Sequence, residues 1–386
     1  MKKGKNLYLL VSLCMMAASS IGLYLNSFGV FFSPMAEALG EKRGNVAMFN
    51  TIMIFANAVF SIIVPMVATN KNYKKFYLGG IIGSIAALIL MANATGLFML
   101  YAGGLLLGTS ASTYFLVVIT TVINNSFEGN AGTMGGIVFS FSGLAGAIFS
   151  PMFASIISAS GYKTAFYVMA VLAAVLCAPA LFADIKIEKE GLEKESGNAG
   201  KLNMLSMAFI LCTLMMVFYQ FLPSLPQHFP GIGISKGLSE SVAPLLVSAA
   251  MVGNIVFKLI AGVMIDKLGA LRTLLAMTGL NIIGSVLLFI GNSALVSMAG
   301  AFLFGAMYSI TSFGGSSVVR DVFGDAAYKR AYSVISFFGC ASNALGISLV
   351  GYIYDFTSSY DPAIIMSVVL AILAYLSATA AKKKHS

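Results

Sequence analysis

The sequence predicts an all-α membrane protein, with twelve transmembrane helices in two pseudo-symmetric six-helix bundles. Three observations carry that prediction. Apolar residues make up 59% of the 386-residue chain and charged residues only 10%, against about 25% charged residues in a water-soluble domain. Mean hydropathy is +0.91, so lipid is the solvent for most of the chain. The apolar runs are continuous and about 20 residues long, the length a helix needs to cross about 30 Å of hydrocarbon. A closed barrel, the other way to pair every backbone group in lipid, would show short alternating segments instead. Finally, the second half of the chain repeats features of the first at a near-constant displacement.

The elements follow in order. Lys2, Lys3 and Lys5 precede an apolar run over 7–32, too long for the apolar part of a signal peptide, so it reads as span one. Further spans fall at 45–68, 76–94, 97–122, 131–157 and 165–183. Asp184 to Lys201, rich in Lys, Glu and Gly, reads as a solvated linker. Spans seven to twelve follow at 203–226, 241–265, 272–291, 295–318, 331–353 and 362–380. The expected organisation is therefore a bundle over 1–183, a cytoplasmic linker over 184–202 and a second bundle over 203–386.

Charge placement orients these spans. With the amino terminus in the cytoplasm, 18 of the 23 Lys and Arg residues fall on the inner side, 4 on the outer side, and Lys258 lies within a span. That bias is the positive-inside pattern. Both termini are expected in the cytoplasm, in a bacterial-type inner cell membrane. The net charge of +9 then reflects anchoring to anionic headgroups, with no nucleic acid as partner.

The repeat is visible in named residues. Ala102-Gly-Gly-Leu-Leu-Leu-Gly108 in span four matches Ala299-Gly-Ala-Phe-Leu-Phe-Gly305 in span ten, displaced by 197 residues. The same displacement carries Pro65, Thr69, Asn72 and Lys75 onto Gly262, Asp266, Gly269 and Arg272. Six helices repeated in parallel is a plan used by carriers whose halves rock about a midplane site.

Gly262, Asp266, Lys267, Gly269 and Arg272 resemble the conformational-loop signature of the major facilitator superfamily. Its counterpart in the first half is degenerate, with Thr69 where an Asp is expected. Asn26-Ser-Phe-Gly-Val-Phe-Phe-Ser-Pro34, followed by Glu37, Gly40 and Arg43, is similar to the monocarboxylate-transporter and oxalate/formate-antiporter branch, as are Gly143, Gly146 and Phe323-Gly324. The resemblance implies the major facilitator fold and secondary transport by alternating access.

Lys258 is the sharpest candidate. An ionisable side chain deep in a span is costly and is by default a functional-site hypothesis. It precedes Asp266 by eight residues, about 12 Å along a helix. Met251, Asn254, Gly262 and Ile265 share its face, which carries no Asp or Glu. A buried ammonium without a protein counter-charge awaits an anionic guest; the competing structural role is snorkelling to the headgroups. The resemblance points the same way, since the branch places a substrate-holding cation in span eight, four residues before a Gly. It also implies departures. Asn254 stands where proton-coupled monocarboxylate carriers have a carboxylate, Asn26 where they have a span-one Lys, and no second cation occurs from Tyr332 to Asp355. One pocket charge suits a small organic monoanion, most simply a monocarboxylate, and exchange.

Asn26, Tyr114, Tyr308 and Asn343 are the further substrate-binding candidates, each weighed against helix packing, which small and polar membrane residues also serve. Tyr114 enters by resemblance to a substrate-contacting Tyr of the exchanger branch. Cys14, Cys177, Cys212 and Cys340 lie in apolar spans without metal spacing. His228 and His385 read as lying outside the spans, which leaves no histidine for a membrane proton relay. No cofactor or metal is expected, no nucleophile–base pair suggests an enzyme, and a monomer is expected. The competing functions are efflux of drugs or larger amphipathic anions, for which the 22 methionines would suit a plastic pocket, and a non-transporting sensor.

Overall fold

A computed structural model describes residues 2–127, 131–187 and 204–385. Most of the expected linker lies outside these residues. All regular secondary structure among the described residues is helical, and ten helical runs are long and apolar enough to cross a membrane. One of them, Thr133–Phe182, has 50 residues and a length of about 75 Å, enough for two crossings. Gly161, at φ +80° and ψ 163°, divides it. A further crossing is assembled from Ala294–Phe304, Met307–Ser309, Ile310–Gly314 and the start of Gly315–Thr357, the last of which is divided at Gly324 (φ +67°, ψ 168°). The described residues thus give the twelve expected crossings.

The chain forms two compact units, Met1–Lys194 and Glu195–Ser386. In the first, helices Arg43–Val67 and Tyr73–Ala92 both pack on Leu97–Ala111, and the first span and Tyr73–Ala92 pack on Ala131–Phe182. In the second, Leu245–Leu268 and Ala270–Ile290 pack on Ala294–Phe304, while Met207–Phe221 packs on Gly315–Thr357 and Asp361–His385. The two schemes are the same, helix for helix. The agreement extends to single atoms. Gly108 abuts the carbonyl of Met53, and Gly305 abuts that of Ala250, positions related by the same 197 residues. Glycine at both points lets two backbones approach closely, the usual means of joining helices in lipid.

The loop signature takes two forms. In the second unit Leu245–Leu268 ends at Gly269, with φ +81° and ψ 164°, a backbone region essentially restricted to glycine. Its counterpart, Asn72, keeps φ −106° and braces its loop with its side chain. Asn72 Oδ1 accepts from the Thr69 N–H at 2.6 Å, and Nδ2 donates to the Val67 carbonyl at 3.1 Å. The degenerate first-half motif is therefore a different solution to the same turn.

One expectation is overturned. The sequence reading ends span seven at 226 and leaves His228 outside it. The helical path continues through the 3-10 segment Leu222–His228 and helix Phe229–Ser235, within the apolar run Met207–Ser235. His228 is 2% exposed, and its Nε2 lies 2.8 Å from the Ile347 carbonyl. Pro223 and Pro226 lack an N–H and so end the α-helical bonding. The tighter 3-10 winding carries the chain onward without it.

Candidate functional site

Four crossings are interrupted, and they occupy corresponding places in the two units. Span one passes from Lys2–Ala17 into a π-helix, Ala18–Leu25, then turns at Asn26 and Ser27 before the 3-10 segment Phe28–Phe31. Serine hydroxyls compete here with the ladder: Ser27 Oγ donates to the Gly22 carbonyl at 2.8 Å. Span seven breaks at Leu222 and Pro223, and Pro223 lies 197 residues after Asn26. Span four winds into a 3-10 turn, Ser112–Tyr114, and is cut by extended Phe115 (φ −92°, ψ −170°). Span ten breaks after Phe304 and passes through a π-helix at Ile310–Gly314. Interrupted segments in corresponding positions of two halves mark the substrate-handling region of carriers. Asn26, Tyr114 and Tyr308 all fall at these breaks.

In the first unit the breaks are held by a buried polar cluster. Tyr114 is fully buried; its hydroxyl donates to Ser84 Oγ at 2.6 Å and lies 3.1 Å from that of Tyr24. Tyr73 donates to the Thr113 carbonyl at 2.9 Å, which the cut at Phe115 releases from the ladder. Tyr77 packs edge-on against Tyr114 and donates to the Cys177 carbonyl at 2.8 Å. Asn26 Nδ2 donates to the Ser142 carbonyl at 3.1 Å, and its side chain lies where Gly146 has no Cβ. Asn26 and Tyr114 are thus tied to neighbouring helices. The sequence reading did not single out Tyr24, Tyr73, Tyr77 or Ser84; only the span-four break explains their grouping.

In the second unit Asn281 and Asn254 each keep an unpartnered side-chain oxygen near the breaks. Asn281, related to Ser84 by 197 residues, donates to the Phe304 carbonyl at the span-ten break at 3.3 Å. Asn254 is 4% exposed; its Nδ2 meets only the Met251 sulfur at 3.9 Å, and its Oδ1 has no partner. One turn further along Leu245–Leu268, Lys258 is half-buried at the margin of the packed face. No hydrogen bond or ion pair ties its ammonium to a described residue. Tyr308 and Asn343 are half-buried, on the short helix Met307–Ser309 and on Gly315–Thr357. Gly262 has open space around it, and Asp266, Lys267 and Arg272 are exposed at the end of the helix and the start of the next. Among the described residues no group of three or more His, Cys, Asp or Glu could hold a metal ion.

Twelve crossings in two matching units, broken at matching points and bearing an unneutralised cation, define a polytopic carrier scaffold. The profile of the Major Facilitator Superfamily matches residues 8–237 and 207–385, and the chain belongs to that superfamily. An MFS-type transporter, pytF, of Aspergillus terreus is 23% identical over 258 residues, covering 64% of this chain and 84% of that protein. The nucleoside transporter NupG superposes with a TM-score of 0.75 at 13% identity, over 97% of this chain and 99% of its own. A bacterial homolog of the human lysosomal transporter Spinster, inward-facing and unoccupied, superposes at 0.69 and 12% identity, over 100% and 98% of the two chains.

Proposed function

We propose that this major facilitator protein carries a small organic anion, most simply a monocarboxylate, across a bacterial-type inner membrane by alternating access, with Lys258 neutralising the solute's charge. The observation that carries the reading is the isolation of that ammonium. Removing a charge from water costs several kcal/mol, and no described residue offsets it. A bound carboxylate would. The same logic favours exchange, because an empty carrier must keep an uncompensated charge within the bilayer during its return. Asn254 and Tyr308, on the same unit, would fix the solute's shape around a point charge that grips less directionally than a guanidinium fork. Asn343, on the same unit, completes the proposed binding set, and the loop from Gly262 to Arg272 would serve the conformational change; Asn26 and Tyr114, bonded within the first unit, take the packing role.

Counterflow in proteoliposomes tests this, with a panel of short carboxylates set against nucleosides and hydrophobic drugs. Lys258→Gln should lower carboxylate counterflow at least tenfold while leaving the melting temperature unchanged or higher. Carboxylate counterflow that survives the substitution refutes the assignment, and drug movement alone favours the efflux reading.

A further inference from the structure

The chain that leaves span six does not run straight into solvent. Asp184-Ile-Lys-Ile187 alternates charged and apolar residues, the two-residue period of an extended chain. Ile185 and Ile187 are 6% and 7% exposed, whereas Asp184 and Lys186 are open to solvent. Two asparagine side chains clasp this strap from different elements. Asn125 Nδ2 donates to the carbonyls of Lys186 at 3.1 Å and Ile187 at 2.8 Å, and the Ile187 N–H donates to Asn70 Oδ1 at 2.7 Å. Asn70 belongs to the loop between Arg43–Val67 and Tyr73–Ala92. Asn125 belongs to Leu116–Ser126, the half of span four that extended Phe115 cuts off from Leu97–Ala111. The helical ladder is interrupted at that cut, so the strap fastens a piece that the break leaves free to pivot.

The repeat carries a second tie at the same place. Displaced by 197 residues, Asn124 and Ile185 become Asp321 and Lys382. Lys382 Nζ lies 3.2 Å from Asp321 Oδ2. Asp321 follows the span-ten break and precedes the cut at Gly324, and Lys382 lies past the apolar part of span twelve. In each unit, then, the chain at the end of the sixth crossing reaches back to the detached half of the broken fourth one. The chemistry differs, amide to carbonyl in one unit and ammonium to carboxylate in the other, so the matching feature is the tie and not the residues. We propose that residues 184–187 are a catch on the pivoting half of span four, and that releasing the catch frees that half during the conformational change. The exposed Lys382–Asp321 pair is its weaker counterpart in the second unit. This inference rests on the carrier reading but on no particular solute.

The test follows thiol labelling of the full-length chain in proteoliposomes with N-ethylmaleimide. Cys340, the exposed native cysteine, is replaced by serine, and Ile123→Cys places a reporter at a 2% exposed position of the pivoting half. Cys14, Cys177 and Cys212, all buried, remain as internal controls. Asn125→Ala removes both of its clasping bonds while favouring the helix that carries it, so faster labelling reports the strap and not a weakened helix. The loss of about one net hydrogen bond should raise labelling of the reporter about fivefold. Asn70→Ala should act in the same direction, and Asn124→Ala, at the exposed neighbouring position, should leave labelling within about twofold. For any solute of the counterflow panel that moves, Asn125→Ala should raise the maximal rate, since conformational steps commonly limit turnover, and leave the half-saturating concentration within about twofold. In the second unit, salt at about 0.5 M screens the ion pair and should speed labelling of Val322→Cys, a 1% exposed position, but not of Ile123→Cys. Reporter labelling or a maximal rate that Asn125→Ala leaves unchanged, an equal rise in Asn124→Ala, a rise shared by Cys177, or labelling of Val322→Cys that ignores salt overturns the inference. Labelling decides the catch even where no acid is carried, whereas Lys258→Gln decides the anion reading whatever the strap does.

Discussion

Gly305 lies where span ten breaks, and substituting alanine there tests the close approach that holds the candidate site together. Its backbone (φ −55°, ψ −20°) suits any L-residue, so the effect is one of space alone. An added Cβ would lie 2.5 Å from the Ala250 oxygen, 2.8 Å from the Asn254 nitrogen and 2.9 Å from the Gly253 carbonyl carbon. All three are backbone atoms of Leu245–Leu268 and cannot rotate away. To restore an ordinary contact of 3.4 Å the helices must part by about 0.9 Å, and overpacking of this kind costs about 1–3 kcal/mol. Alanine's better helix propensity offsets at most about 1 kcal/mol, less at a helix end, so a net loss of about 1–2 kcal/mol is expected. Gly262→Ala is the matched control on the same helix. No atom lies within 4 Å of its Cβ position, so only the propensity gain remains. Thermal unfolding in detergent, followed by far-UV circular dichroism, should place Gly305→Ala below the unsubstituted protein and Gly262→Ala at or above it. Counterflow should fall in the first variant, because the Asn254 backbone is among the displaced atoms. A Gly305→Ala protein that melts at or above the Gly262→Ala protein refutes the packing argument.

Two further predictions concern the first unit's cluster and the loop. Tyr73→Phe keeps the ring stacked on Tyr77 but strips the donor from the buried Thr113 carbonyl, and should cost about 1–3 kcal/mol; Tyr167→Phe, at an exposed pair with Asn93, should stay within about 0.5 kcal/mol. Parallel melting curves compare them, and equal midpoints would remove the Thr113 cap from the account. Gly269→Ala forces a Cβ into a positive-φ conformation and should destabilise by about 1–3 kcal/mol, whereas Asn72→Ala loses only local braces worth about 1 kcal/mol; a Gly269→Ala protein as stable as Asn72→Ala would mean that the turn rearranges freely.

The fold was legible because lipid leaves a chain few options. Run length and charge placement define the crossings, and the pairing of Gly108 with Gly305 survives in the structure as matched contacts on Met53 and Ala250. The breaks were not legible. Hydropathy treats 97–122 as one apolar run, yet Thr109, Ser112 and Thr113 donate to the carbonyls of Leu105, Thr109 and Ser110, three or four residues back, a competition that sequence averaging hides. His228 was misplaced because the apolar run was ended at 226, when the helical path continues past it through the 3-10 segment Leu222–His228 into Phe229–Ser235. Lys258 was legible from charge alone. Asn57 was not, since a lone asparagine in a span is unremarkable until the repeat aligns it with Asn254.

The repeat also separates residues that build the scaffold from residues free to bind. Where both units need the same contact, the sequence keeps it: glycine against carbonyl at Gly108 and Gly305, and a polar side chain on the break at Ser84 and Asn281. Ser84 accepts from Tyr114 within its own unit, and Asn281 is bonded through Nδ2 while its Oδ1 has no partner. At Asn57 and Asn254 both units again carry the same residue, yet neither unit satisfies it. Asn26 and Tyr114 find partners within their unit, whereas orphan groups in a low-dielectric interior are costly. The adjoining pair then breaks the symmetry, with Ser61 in one unit and Lys258 in the other.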